Sequence, residues 1–159
     1  LMICVAVLLK ITGSPVIFKH ARPGQNEQIF ELYKFTSMKN GEITRIGFIL
    51  RKSSLDELPQ LVNIIKGEMS FVGPRPLLKE YLSVYSDSGR KRHLVKPGVT
   101  GLAQVNGRNA LSLEEKVELD AEYVQNVSFL LDLKILFKTA VRIFYFHQAD
   151  YHSFELHQH

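Results

Sequence analysis

The sequence predicts an α+β fold, mostly helical, in a single domain with a small β-hairpin near its start. Two runs rich in Val, Ile, Phe and Tyr, VIFKHAR and IFELYKF, flank the turn-prone PGQNEQ, which is the pattern of two short strands joined by a turn. Leu58, Leu61, Val62 and Ile65 recur at helical spacing, and Ser112 with Glu115 three positions on makes a capping box. At 159 residues the chain has the length of one domain with a real core.

The elements follow in order. LMICVAVLL gives nine apolar positions before Lys10, well short of the roughly 20 that a spanning helix needs. It has neither the basic leader nor the small-residue cleavage site of a signal peptide. Leu1 rather than Met opens the chain, which is compatible with a start inside a longer apolar segment, so a core helix and part of a membrane segment both fit. Cys4 lies in this run with no second cysteine to bridge, and it reads as a small buried hydrophobe.

After the hairpin, a polar linker is expected from Lys39 to about Arg45, then a short apolar stretch to Leu50. The next helix should run from Leu55 to Lys66 and stop at Gly67. The prolines of FVGPRP make that segment a loop. A short helix from about Leu77 to Tyr85 precedes the basic, glycine-rich RKRHLVKPGVTGLAQVNGRN, whose glycines 98, 101 and 107 mark turns. The capping box opens a helix to about Val124, and Ser128 opens a last helix toward Phe146. That helix carries Lys134, Lys138 and Arg142 as one basic line on an apolar cylinder. It fits either a core helix with the line exposed or a helix in a lipid interface. The tail bearing His147, His152, His157 and His159 reads as a mobile end.

Lys plus Arg number 20 against 16 acids, a formal charge of +4, which favours an anionic partner such as phosphate, nucleic acid or a lipid surface. A nucleic-acid module fits poorly, because the aromatics sit in apolar runs rather than among basic residues.

The chemistry concentrates at SSLDELPQL. Ser54 and Glu57 have capping-box spacing, but Pro59 has no N–H, so Asp56 is the better cap, with Pro59 at the third helical position. Adjacent acids at a helix start are ordinary capping and dipole chemistry. What points further is the surrounding cations: Arg51, Arg75 between Pro74 and Pro76, and Arg108 in VNGRN. A carboxylate and a phosphate 4 Å apart repel by about 4 kcal/mol at an effective dielectric of 20. Arginine forks or a magnesium ion can screen that repulsion, after which an Asp carboxylate can attack phosphorus.

These residues resemble a known family. ARPG, YKF, SLDELPQL, NIIKGEMSFVGPRPLL, RHLVKPGVTGLAQVNGRN and NVSFLLDLKIL together are similar to the bacterial sugar transferases, the monotopic phosphoglycosyl transferases, from about Ile11 to Leu136. The resemblance implies a phosphosugar moved from a UDP-sugar to a polyprenol (undecaprenyl) phosphate, with magnesium, at the cytoplasmic face of the bacterial inner membrane. It implies Asp56 as nucleophile and metal ligand, UMP as first product, and Glu57 as its partner in a dyad. Arg75 would hold the nucleotide or its phosphates, with Lys34, Arg51 and Arg108 as further anion contacts. Membrane lipid becomes an expected partner, nucleic acid does not, and homo-oligomerisation is left open. Residues 1–12 would be the returning half of a re-entrant membrane helix, 13–146 the catalytic domain, and 147–159 the tail. The family departs from this chain at Thr36, where a basic residue is usual, at Leu102 and Leu113, where tryptophans are common, and between Met38 and Arg51, where the chain is shorter. A non-catalytic nucleotide-sugar binder is the alternative.

Overall fold

The computed structural model describes residues 1–13, 15–107 and 110–155, with side chains up to Arg142. The expected mixture is there: mainly helices, with three two-stranded ladders. β1 (Ile17–Pro23) and β2 (Ile29–Phe35) pair antiparallel with Ile17 opposite Phe35 and Pro23 opposite Ile29, so the predicted hairpin is present. Along β2, Phe30, Leu32 and Phe35 turn inward while Ile29 and Glu31 face out.

The stretch expected as a plain linker folds into a smaller hairpin, β3 (Met38–Lys39) on β4 (Glu42–Ile43). Asn40 and Gly41 supply the two positive φ angles, 53° and 86°, that a two-residue turn requires. The apolar stretch after it is helix α2 (Arg45–Lys52), capped by Thr44, whose hydroxyl accepts from Gly47 N at 2.9 Å.

Three local expectations are corrected. The helix drawn from Leu55 to Lys66 is a single tight turn, Leu55–Glu57, followed by α3 (Gln60–Ile65). FVGPRP is not all loop, because Phe71 and Val72 lie in β5 (Ser70–Val72), parallel to β6 (Gly98–Thr100), and main-chain bonds to β6 continue through Gly73 N and Pro74 O. The short helix expected from about Leu77 to Tyr85 is there as a shorter and tighter 3₁₀ helix, Lys79–Ser83. β5 and β6 meet where glycines allow: a Cβ on Gly98 would strike Gly73 N and Thr100 O, and one on Gly101 would strike Gly73 O.

Helices α4 (Asp87–Arg90), α5 (Leu102–Asn106), α6 (Leu113–Gln125) and α7 (Phe129–Glu155) complete the chain. The Ser112 capping box is formed in both directions, at 2.7 and 3.1 Å. α7 runs on past Phe146, through the region expected as a mobile tail. Residues 156–159 lie outside the described residues.

The core has three parts: Val5, Leu9, Phe35 and Leu50; Val72, Leu102, Tyr123 and Ile135; Phe30, Leu32 and Met69. The apolar N-terminus forms α1 (Met2–Ile11), which buries only the stripe of Val5 and Leu9 and leaves Ile3, Val7, Leu8 and Ile11 exposed. Cys4 is exposed as well, which corrects its reading as a buried hydrophobe, since it projects off that stripe. α7 likewise buries Ile135 and exposes Phe129, Leu130, Leu133 and Phe137 together with Lys134 and Lys138. Among the described residues no helix is long and apolar enough to cross a membrane.

Candidate active site

Asn63 fixes the frame of the site. It is fully buried on α3, and its amide Oδ1 accepts from Tyr33 N at 3.1 Å while Nδ2 donates to Glu31 O and Glu68 Oε2, both at 2.7 Å. This ties α3 to the edge of β2 one residue before Lys34. The turn between α2 and α3 is thereby held against the hairpin.

Within that turn Ser54 takes a left-handed conformation, φ 56°, and the hydrogen bonds run three residues back: Glu57 N to Ser54 O, Leu58 N to Leu55 O. Pro59 has no N–H to return to Leu55 O, so an α-helix cannot propagate through it. Asp56 is not the helix cap that its position suggests, because the turn around it is bonded three residues back and α3 opens only at Gln60; neither Ser54 nor Pro59 makes a side-chain cap bond either. The freed Asp56 carboxylate is 8 % exposed, and among the described residues it has no hydrogen-bond or ion-pair partner of its own. Burial raises its pKa, reinforced by Glu57 and opposed by Lys34, Arg51 and Arg75.

Glu57 has the opposite surroundings. Lys34 Nζ donates to its Oε1 at 2.7 Å, and Arg75 grips the carboxylate from both guanidinium nitrogens, Nη2 to Oε1 and Nη1 to Oε2. Burial works against ionisation, but the two cations outweigh it and hold the pKa at about 2. The adjacent acids are thus a pair of unlike members, one locked by cations and one without a partner. Lys34 and Arg75, expected as phosphate contacts, spend their charge first on Glu57.

Both acids lie on the wall of a cavity of about 610 Å³, together with Arg51 and Arg75. Arg51 is oriented by a 2.8 Å bond from its Nε to Ser37 Oγ. Lys34 is not on the cavity wall; it bonds Glu57 and its charge also acts on Asp56. Arg108 lies outside the described residues.

Arg92 and Asp120, which local sequence patterns gave no reason to select, also line the cavity. Their side chains are each 2 % exposed and pair at 2.7 Å. Arg92 further donates to Tyr85 Oη and to the main-chain O of Arg75, both at 2.6 Å, so it braces the Pro-Arg-Pro loop from behind. Burial raises Asp120 to about 6 despite Arg92.

For magnesium, the structure offers the Asp56 carboxylate, unpartnered on a cavity wall; the other unpartnered carboxylate oxygen there, Asp120 Oδ1, belongs to an acid already paired with Arg92. No group of three or more His, Cys, Asp or Glu that could hold a metal occurs among the described residues. That fits an ion bound by one carboxylate plus substrate phosphates, and not one enclosed by protein ligands alone.

A buried, unpaired carboxylate beside clamped cations on an open cavity is an arrangement that can carry out phosphoryl chemistry. The family description "Bacterial sugar transferase" matches residues 1–145, and the chain belongs to that family, whose members are transferases. It is 47% identical over 163 residues to the "Uncharacterized sugar transferase EpsL" of Bacillus subtilis (strain 168), covering 90% of this chain and 81% of that protein. It is 40% identical to the "Undecaprenyl-phosphate galactose phosphotransferase" of Salmonella typhimurium, over 80% of this chain but 33% of the relative. With the Escherichia coli (strain K12) "UDP-glucose:undecaprenyl-phosphate glucose-1-phosphate transferase" the identity is 37%, over 89% and 35%. The chain thus spans most of the first relative and about a third of the other two.

Proposed function

We propose that this chain moves a sugar-1-phosphate from a UDP-sugar to a polyprenol phosphate in two displacements at Asp56. In the first, a carboxylate oxygen of Asp56 bonds to the phosphorus that bears the sugar, the bridging P–O bond breaks, and UMP leaves with that electron pair. In the second, a phosphate oxygen of the polyprenol phosphate bonds to the same phosphorus and the Asp56 ester bond breaks. Asp56 is then regenerated and the lipid carries a diphosphate-linked sugar.

The observation that carries this reading is that Asp56, alone of the two acids, has no protein partner among the described residues while lining the cavity. A nucleophile must be free to reach phosphorus, and Glu57 is held by ion pairs to Lys34 and Arg75. Arg51 and Arg75 provide positive charge where phosphate oxygens would sit. Magnesium held at Asp56 would supply a further positive charge to the phosphates when bound. Glu57 fixes the guanidinium of Arg75 in place. The exposed apolar faces of α1 and α7, with Lys134 and Lys138 on the latter, suit a protein that meets a lipid-borne acceptor at a membrane surface, and the cytoplasmic face of the inner membrane follows from a soluble UDP-sugar donor.

The test uses the full chain with magnesium, a panel of UDP-sugars and no acceptor. UMP should appear in an amount stoichiometric with enzyme, and intact mass should rise by one phosphosugar. Asp56→Asn should show neither change. An adduct that persists on Asp56→Asn would assign the nucleophile elsewhere, and no UMP from any donor would favour a non-catalytic nucleotide-sugar binder.

A further inference from the structure

The cavity has a second chemical face that the displacement at Asp56 does not use. We propose that Asp120 and Gln104 form a subsite that accepts hydrogen bonds from the uncharged donor groups of the nucleotide sugar, either its sugar hydroxyls or the N–H of its base. This rests on the reading of the chain as a nucleotide-sugar enzyme.

Asp120 commits only one of its oxygens. Oδ2 takes the 2.7 Å contact from Arg92 Nη2, and Oδ1 is buried with no partner among the described residues. Gln104 is in the same condition: Nε2 donates to Val99 O at 3.3 Å, while Oε1, packed against Gly101, is buried and unpartnered. Both residues line the cavity, from the adjacent helices α6 and α5. A buried acceptor without a donor is costly, and two on one cavity wall are relieved together by a ligand that brings donors.

The charge of this wall selects the kind of donor. Arg92 already neutralises Asp120, and Lys116 stands on the same wall, so a metal cation is disfavoured there. Two acceptor oxygens equally disfavour a phosphate, which belongs beside Arg51 and Arg75. What remains is a neutral O–H or N–H. Thr100 and Thr139, joined hydroxyl to hydroxyl at 2.7 Å with Thr139 donating on to Ile135 O, extend the wall with oxygens that can still accept. One molecule that carries a diphosphate at one end and neutral donors at the other matches the two faces at once.

The experiment measures binding in an Asp56→Asn background, so that no turnover intervenes, with a UDP-sugar shown to release UMP from wild type. UMP and inorganic pyrophosphate are the two further probes. Gln104→Met keeps the volume and removes the acceptor; Asp120→Asn keeps an oxygen for Arg92 and replaces the other by an N–H₂. Each should weaken UDP-sugar binding by about tenfold and leave pyrophosphate unchanged. An equal loss for UMP assigns the donors to the nucleoside, and a loss confined to the UDP-sugar assigns them to the sugar. Unchanged UDP-sugar affinity on Gln104→Met overturns the subsite, as does a parallel loss for pyrophosphate, which would mark a distorted cavity. Gln104→Met decides alone if Asp120→Asn does not fold. A wild type that releases no UMP from any donor fails the enzyme reading, whereas one that releases UMP with Gln104→Met binding unchanged fails only the subsite.

Discussion

Arg75 holds Glu57 with both ends of its guanidinium, while Lys34 shares the oxygen that Arg75 Nη2 takes. The Glu57 side chain is 16% exposed, so the interaction is only lightly screened by solvent. Its pKa falls from 4.5 to about 2. A carboxyl with a depressed folded-state pKa contributes stability that is present above the unfolded value and is lost as pH falls through the folded one. Glu57→Gln should therefore cost about 3 kcal/mol at pH 7. The gap between the variant and wild type should shrink from pH 4.5 toward pH 2. Urea unfolding midpoints of both proteins across that range provide the check, and a gap independent of pH would exclude this linkage.

Asp120 should give a dependence of opposite sign. Its pKa is raised from 3.8 to about 6, so between those values the folded chain binds more protons at this site than the unfolded chain does. Stability from this group is greatest below about pH 4, falls as pH rises to about 6, and is level above that. Asp120→Asn removes the titrating group and should flatten this part of the curve. The measurement is the thermal midpoint of wild type and variant at half-unit steps from pH 4 to 7. A wild-type curve with the same slope as Asp120→Asn would refute it.

The fold was legible where local pattern and tertiary structure coincide. β1 and β2 are rich in residues that favour the pleat on either side of a Pro-Gly turn, and the Ser112 capping box sits at a true helix start. Asp56 and Glu57 stood out in the sequence for the cations expected around them, and Arg51 and Arg75 do share their cavity, but the continuous helix expected there is broken into a tight turn and α3. Asn40-Gly41 carried a turn signal that the surrounding polar residues masked. The β5–β6 ladder pairs three-residue strands from distant parts of the chain, which no local periodicity reports. Arg92 and Asp120 were missed for a related reason. Arg92 sits in the run RKRH and Asp120 in ELDAEY, where each reads as one more solvated charge until the fold brings them together.

The β5–β6 ladder also makes Gly98 a sensitive position. An added Cβ there meets main-chain atoms of Gly73 and Thr100, which cannot rotate away as a side chain could. Gly98→Ala should lose at least about 2 kcal/mol and displace the loop that presents Arg75. The expected result is a lowered unfolding midpoint together with weaker UDP-sugar binding. Gly13→Ala is the control, since nothing lies within 4 Å of a Cβ there, although its φ of +70° adds strain of its own. A Gly98→Ala protein as stable as wild type would mean that β5 and β6 can separate at no cost.

The exposed side of α7 offers the last prediction. Phe129, Leu133 and Phe137 follow one another at intervals of four and are 79%, 52% and 70% exposed, with Leu130 beside them at 75%. Lys134 and Lys138 are exposed on the same helix. An apolar strip of this kind with basic residues next to it is what a helix lying in a lipid interface presents, the apolar side chains entering the acyl boundary and the lysines reaching headgroups. Leu133→Glu combined with Phe137→Glu removes two apolar side chains from that contact and adds two negative charges. Binding to vesicles containing anionic lipid, read by co-sedimentation, should fall by about tenfold or more. Lys134→Gln with Lys138→Gln should weaken binding less, and only at low salt, because headgroup attraction is screened while apolar burial is not. Vesicle binding unchanged by the double glutamate variant would move the lipid contact away from α7, leaving the exposed face of α1 to carry it.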